Sequence, residues 1–359
     1  MHSRLSFLFL IITVSLLPLK LFAQDISGGG SEGRNDDDFT FLPLPYLSYD
    51  RSLGFQFGAL PMAMYNLNKK DTISPSSISG ALGMYSTNKS YFLMQFNKFY
   101  FAEDKYRAII VGGKGDINFQ FFIDSPLDIG FIDFNTDATF FKVELQRRIV
   151  EDLYFGVNYV NIKTVTVFDV GNGIEQTDKR QGLGTVVSLD KRDNVYYPRE
   201  NFITNFNFNS FPESFGNETA SKKLTLDYNH YFGLKNERDI VAVRFYGGMG
   251  LGDLAFTQQF VVGNNDIRGY TQGKYRGEQT MAIQGEYRLN PWDKIGLVGF
   301  AGVASVYGGI NENDNGRILP SIGIGFRYNV FPKNHMNIGL DVAAGDGDWG
   351  IYFRIGEAF

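Results

Sequence analysis

Three histidines, no cysteine and a few charged turns are what this chain of 359 residues offers chemistry. Without cysteine, zinc–thiolate sites, thiol nucleophiles, lipidated cysteines and disulfide frameworks are excluded. His2 falls in the leader, while His230 and His335 sit at opposite ends of strand-like segments and form no ligand pair. A membrane-surface hydrolase needs a histidine beside a nucleophilic serine. His230 shares parity with Leu226 and Tyr228, but the nearest serine, Ser210, makes no convincing partner. Asn311-x-Asn313-x-Asn315-Gly316 copies the start of a calcium loop, yet its twelfth position is Ile322, so the bidentate acid is missing. Neither enzymatic activity nor a metal or cofactor is expected. The remaining charge sits in Asp190, Arg192 and Asp193 ahead of Pro198, and in Arg268 within Asn264–Tyr270. Taken alone, the first reads as a hairpin turn that caps itself and the second as a surface turn.

The elements that must position these residues alternate at period 2, the mark of a half-buried strand. In 222–232, Leu224, Leu226, Tyr228 and Phe232 oppose Thr225, Asp227 and Asn229. In 336–343, Met336, Ile338, Leu340 and Val342 oppose Asn337 and Asp341. In 349–359, Trp349, Ile351, Phe353 and Ile355 oppose Tyr352 and Arg354, and the segment stops on Phe359. Full charges on the polar faces would be rejected by a dry sandwich core but accepted by a water-filled lumen. In hydrocarbon only helices and closed barrels satisfy every backbone group, and no helix outside the leader is long enough to span. Aromatic residues make up 16% of the chain, while mean hydropathy is only -0.17. That balance suits strands with one face in lipid and one in water. The sequence therefore predicts an all-β transmembrane barrel of about sixteen antiparallel strands. They are expected at 43–50, 54–66, 77–86, 91–101, 106–121, 138–149, 153–168, 181–191, 201–211, 222–233, 239–251, 280–290, 295–307, 318–330, 336–345 and 349–359, with weak alternation at 91–101 and 295–307.

Residues 1–23 read as a cleaved secretory signal, with Arg4 ahead of the apolar run Leu5–Leu17 and Ala23 at the cleavage point. Residues 24–40 form a Gly- and Asp-rich linker that cannot bury a core, and 41–359 form one barrel domain. The net charge of -5 argues against a nucleic-acid partner.

Within that frame, Ile267-Arg268-Gly269-Tyr270 in the long extracellular connection 252–279 resembles the (V/I)-R-G-(F/Y) signature of the outer-membrane protein assembly and two-partner secretion superfamily, the BamA/TamA type. The resemblance implies a loop folded back into the lumen whose Arg268 meets an acid on the barrel wall. Glu286 is the matching acid, and its alternation places it on the polar face with Gln284 and Arg288. A planar guanidinium can hold a carboxylate bidentately, and Gly269 permits a tight turn beside it. Asp190, Arg192, Asp193 and Pro198 resemble the family's D-x-R-D-x(4)-P-x-x-G segment, with Asn201 at the glycine position. The start, Phe41–Asp50 followed by Gly54 and Gly58, and the final strand with Phe353 and Phe359 as a C-terminal assembly signal, are also similar to the family. Two departures stand out. The strand at 295–307 has Phe300-Ala301-Gly302 where the family carries an inward Asp, and the seventeen residues 24–40 are too few for a periplasmic POTRA domain.

The resemblance implies insertion or translocation of polypeptides at the bacterial outer membrane. The expected partners are outer-membrane lipid, unfolded outer-membrane clients and the barrel assembly machinery, with the protein itself a monomer. A passive porin or surface antigen without a client is the alternative. At the closing seam, Pro43 and Pro45 cannot donate ladder hydrogen bonds, and Gly350 and Gly356 pack poorly. A weak seam can part sideways and template an incoming strand.

Overall fold

The structure, a computed structural model, describes residues 39–50, 53–123, 130–169, 173–234, 238–254, 258–263, 266–271, 274–309, 311–331 and 336–359. The signal segment 1–23, linker residues 24–38 and His335 lie outside the described residues. The strands are β1 (Phe39–Asp50), β2 (Gly54–Tyr65), β3 (Ser77–Ser86), β4 (Tyr91–Phe101), β5 (Tyr106–Ile123), β6 (Gly130–Val150), β7 (Leu153–Phe168), β8 (Ile174–Asp190), β9 (Asn201–Phe211), β10 (Ser221–Gly233) and β11 (Ile240–Gly252). They continue as β14 (Gln279–Leu289), β15 (Ile295–Tyr307), β16 (Leu319–Phe331), β17 (Met336–Gly345) and β18 (Asp348–Ile355). Two short strands, β12 (Phe260–Val261) and β13 (Arg276–Gly277), pair with each other inside the long connection. The remaining sixteen close into one antiparallel barrel, each beside its chain neighbour, with β11 against β14 and β18 against β1. An even count returns both ends of the barrel to the same side of the membrane.

Alternation sets the two faces. Outward side chains such as Leu145, Val157, Leu183, Met281, Ile283, Ile322 and Ile324 are exposed, where lipid meets them. The wet interior expected from sequence holds for only part of the wall. Along β8–β18 the lumen side carries Asp227, Arg244, Glu286, Arg288, Arg327 and Asp341, all buried. Along β1–β7 it carries Leu60, Met62, Met64, Leu82, Phe92, Met94, Phe96 and Phe140 in one packed cluster. Both faces of β4 (Tyr91–Phe101) therefore include bulky apolar residues, and this blunts its period-2 signal. A strand covered on both sides reads as a hydrophobic run rather than as an alternation.

β1 begins four residues earlier than expected, at Phe39, and β6 and β8 begin earlier still relative to expectation, at Gly130 and Ile174. About 9–11 residues cross a bilayer, so β5 with 18 residues and β6 with 21 extend past it. There the polarity inverts. Outward Asp116, Asn118, Asn135 and Asp133 join in hydrogen bonds such as Asn135–Asp116 (2.6 Å) and Gln120–Asp133 (2.7 Å). Inward Phe119, Phe134 and Phe168 pack as tilted rings, their centroids 5.8 and 5.6 Å apart. A lipid-facing pattern cannot find strands whose apolar side points inward. The last strand is shorter than expected. It stops at Ile355, and Gly356 takes φ 77°, which turns 356–359 out of the sheet.

Candidate functional site

The long connection between β11 and β14 descends into the lumen and docks through Arg268, which is 1% exposed. One arm of its guanidinium, Nη2, donates to Glu286 Oε2 at 2.8 Å and to Gln284 Oε1 at 2.7 Å, both on β14. The other arm, Nη1, donates to Asp341 on β17. The guanidinium carbon sits over the Phe300 ring of β15, 3.3 Å from its centroid. One side chain thus bridges β14, β15 and β17. Gly269 has φ 99°, and a Cβ there would lie 2.6 Å from the Ala344 carbonyl carbon. Backbone and close approach both require glycine. Its N–H donates to Tyr352 Oη at 2.8 Å. Ile267 and Tyr270 are each 1% exposed, and Tyr270 Oη donates to the Pro320 carbonyl. Ser321 Oγ donates to the Arg268 carbonyl, and Thr271 N donates to Asp348.

Asp341 was not among the residues singled out from sequence, although its polar-face alternation was. It also accepts from Arg327 on β16 and from Arg354 on β18, the latter at 2.7 Å. The acid missing from β15 is thus replaced by one two strands further on. A lone inward acid flanked at matching parity by Arg327 and Arg354 was the available signal. From Arg327 the chain of ion pairs continues to Glu357 (2.9 Å), which stands 3.7 Å from Arg288, itself paired with Glu286 at 2.9 Å. Four arginines and three carboxylates form one buried network reaching from the loop to the end of the last strand.

The turn between β8 and β9 is fixed by a second network. Asp190 accepts from Arg192 Nε at 2.9 Å and from Arg107 Nη1 at 3.1 Å. Arg107 also grips Asp104 and lies 3.6 Å over the Tyr154 ring. Asp193 Oδ1 accepts from the Arg199 and Glu200 amides at 2.9 and 3.1 Å, closing the turn around buried Pro198. Asn201 sits at φ 65°, the left-handed region that a glycine would take without strain. Tyr196 Oη donates to the Ser76 carbonyl across the mouth, and Val195 and Tyr196 join the apolar cluster of β1–β7.

At the seam, β1 and β18 share one paired position, Tyr49 opposite Ile351. Pro43 and Pro45 face Pro61 and Ala59 of β2 on their other side, so neither edge of β1 gains a ladder donor from them. Gly350 lies within β18 and Gly356 just beyond it. Side chains hold the seam instead. Tyr49 stacks on Trp349 at 5.0 Å, Ser48 Oγ donates to the Ile351 carbonyl at 3.0 Å, and the Tyr46 and Phe353 rings meet edge-on at 5.7 Å. Tyr46 belongs to the lumen face of β1 and Phe353 to the outward face of β18. Their contact means that β18 rolls inside β1 toward its end. Phe359 does not continue the outward face of β18. It lies in the lumen against Ile203, Tyr231, Ile240 and Ala242, because Gly356 redirects the chain before it.

The Omp85 superfamily domain matches residues 75–359. The chain belongs to the Omp85 superfamily. Among solved structures it is similar to BamA from Haemophilus ducreyi lacking POTRA domains 1-3, with TM-score 0.57, 11% identity, and coverage of 88% of this chain and 69% of that one. It is also similar to CdiB from Acinetobacter baumannii, with TM-score 0.57, 14% identity, and coverage of 89% and 60%. CdiB from Escherichia coli matches with TM-score 0.54, 10% identity, and coverage of 88% and 63%. The chain spans less than two thirds of either CdiB chain. At these identities the likeness concerns the fold. No curated protein matches the sequence. An Omp85 barrel is a protein of the bacterial outer membrane. Among the described residues no group of acids and histidines could hold a metal ion.

Proposed function

We propose that this barrel assists insertion or translocation of polypeptides at the outer membrane, reached through a cleaved signal at residues 1–23. The observation that carries this reading is the seam. A single paired position joins β1 to β18, whereas β5 and β6 are matched from Tyr106 opposite Arg147 to Ile123 opposite Gly130. A sheet edge with unpaired backbone groups is a template for another strand. Opening here exposes β1 to lipid and to any strand arriving from the periplasm. Arg268 and Gly269 hold β17 and β18 from inside, so the loop sets the position of the moving edge. The two arginine networks are structural clamps in this reading, and no bond chemistry is involved.

The test is to lock the seam. Directly opposed residues of an antiparallel pair bring their Cα atoms within about 4.5–5.5 Å, a span that a disulfide accepts. Cysteines at Tyr49 and Ile351 should therefore crosslink. Oxidised protein is expected to stay folded and lose its effect on assembly of other barrel proteins, with recovery on reduction. Undiminished assembly with the seam locked would overturn the proposal. Depletion of the protein should thin the outer membrane of other barrels, whereas a passive pore would leave their complement normal.

A further inference from the structure

The lipid-facing wall behind the Arg268 clamp is short of side chains. On β14 and β15 the inward residues Glu286 and Phe300 meet Arg268, while their outward neighbours include Gly285, Gly299 and Ala301. Register sets Gly285 opposite Ala301 and Tyr287 opposite Gly299, so the small residues lie side by side. Ile322 and Ile324 of β16 stand opposite Ala301 and Gly299 and are 67% and 71% exposed, because their flanks on that side are bare. The result is a hollow of about 930 Å³ in the outer wall, bounded by Val241 and Tyr287 at one end and by Trp349 at the other.

Glycine inside a strand weakens it, and it often marks a bulge or a site where a ligand or another backbone approaches closely. Pairing of β15 with β14 and with β16 runs through these positions without a register shift, so there is no bulge. Neither glycine has a positive φ. A Cβ added at Gly285 or Gly299 would meet no protein atom within 4 Å, so no backbone presses on them. The inward glycines of the same wall differ. A Cβ at Gly323 would strike the Phe300 ring, and one at Gly325 would strike the Asp341 carboxylate. Those glycines make room for the clamp, whereas Gly285 and Gly299 make room for something outside the protein.

The foot of the hollow is charged. Tyr287 Oη donates to Asp239 Oδ2 at 2.8 Å and the Asn290 amide donates to Asp239 Oδ1 at 3.0 Å, which ties two periplasmic turns together. At those turns Arg199, Arg238 and Lys294 line a second, polar hollow of about 390 Å³ beside the exposed ring of Trp292. These three cations outnumber the acids, Asp239 and Asp293, the latter 3.8 Å from Arg238. Lys294 precedes Gly299 by five residues, about 17 Å along a strand, which at a tilt of about 35–45° is about 12–14 Å of height. Half of a bilayer's hydrocarbon is about 15 Å thick. We propose that the outer face of β14–β16 is a binding site for one anionic glycerophospholipid of the periplasmic leaflet. Its phosphate sits among Arg199, Arg238 and Lys294, with the Trp292 ring at headgroup level. One acyl chain climbs past Tyr287 into the hollow over Gly285 and Gly299. The floor is two strands wide, about 5 Å between neighbours, which admits a chain but not a helix about 10–12 Å across. The site is independent of the polypeptide-handling reading and of the seam.

The experiment is native mass spectrometry of the purified barrel, stripped of lipid in detergent and offered phosphatidylglycerol, phosphatidylethanolamine and lipid A in equal amounts. One phosphatidylglycerol per barrel is expected to be retained, at least tenfold over either competitor. Gly285→Leu with Gly299→Leu fills the hollow with side chains that the wall has space for, and should lower that retention at least tenfold. Arg238→Gln with Lys294→Gln should remove the preference over phosphatidylethanolamine while an acyl chain is still held. This rim variant decides the matter if the filled barrel fails to fold, as judged by heat-modifiable migration. Undiminished retention in the filled barrel overturns the proposal, as does an unchanged preference in the rim variant. Preferential retention of lipid A would move the ligand to the opposite leaflet and overturn it too. Retention of all three lipids alike, several per barrel, would mean an ordinary annulus and would also overturn it.

Discussion

Along β1–β7 the lumen wall is built from methionine, leucine and phenylalanine packed on one another, with charge toward the periplasmic ends at Lys98, Arg107, Lys142 and Glu144. Along β8–β18 the same wall carries arginines, carboxylates and amides arranged around a docked loop. The difference concerns movement. An apolar cluster resists rearrangement because each shift opens a cavity. A network in which Asp341 serves Arg268, Arg327 and Arg354 can exchange partners while keeping every charge matched. The loop and the last strand, the parts that the proposed function moves, both attach to the charged half. The apolar half is the fixed frame, and the seam falls where the two meet.

The most damaging test of this contrast is Arg268→Ala. It leaves Glu286 and Asp341 with less compensation and exposes the Phe300 face, and breaking a buried pair costs about 3–5 kcal/mol. Limited proteolysis should then cut within 253–278 while the barrel remains heat-modifiable; a protected loop would mean that other contacts hold it. Phe92→Ala in the apolar half removes a ring stacked on Phe140 at 5.8 Å. It should lower barrel stability by about 3 kcal/mol, read by thermal unfolding, with the loop still protected. Loop release in that variant would show that the halves are coupled. Arg268→Lys keeps the charge but loses the fork, and about 1–2 kcal/mol of loop protection should go with it, since hydrogen bonds to charged groups contribute about 1.5–3 kcal/mol. Asn201→Gly relieves a left-handed backbone that costs an L-residue about 1–2 kcal/mol, offset by about 0.4–1 kcal/mol of extra unfolded-chain entropy, so it should stabilise the periplasmic turn by about 0.5–1 kcal/mol.

The smallest expected effect is a pH response at the periplasmic rim. Burial alone would raise the Asp71 carboxyl, but hydrogen bonds from Ser74, Glu103 and Ile73 outweigh it and hold it down at about 2, below its usual 3.8. A depressed folded value means stabilisation present above the unfolded value and lost as pH falls through the folded one. The protection of the Ser74 and Glu103 amides, measured against their intrinsic exchange at each pH, should therefore fall as pH drops from 4 toward about 2. Unchanged protection across that window would show that the loop does not depend on this carboxylate.

Strand order and most boundaries were legible because lipid outside and polar groups inside give a period-2 pattern. The Arg268–Glu286 contact was legible because a motif and an alternation pointed to the same face. What escaped follows from physics that the pattern does not carry. The outer end of β6 is water-exposed outward with Phe134 inside, so its polarity runs opposite to that of a lipid-facing strand, and the outer end of β8 is polar on both faces, with Asp178 and Arg180 paired inside. The filled lumen of β1–β7 leaves bulky side chains on both faces. Asp341 was visible as a polar-face residue, yet its meeting with Arg268 depends on how far the loop reaches across the barrel, a tertiary distance that no local spacing encodes. Gly356 was read as a weak packing residue, whereas its left-handed φ redirects the chain and carries Phe359 away from the lipid face.

The polarity inversion along β5 and β6 has a bearing on the host bilayer. On the outward face of β6, exposed Phe141 and Leu145 give way to Asp137, Asn135 and Asp133, and on β5 Lys114 pairs with Asp137 at 3.3 Å near the same height. That line is a waterline drawn in side chains. In a thicker membrane it would be submerged, and a lysine costs about 2–4 kcal/mol at mid-bilayer, falling toward 0–1 near the interface. The barrel is therefore gauged to one hydrocarbon depth, with the taller wall standing clear of it like a parapet on one side.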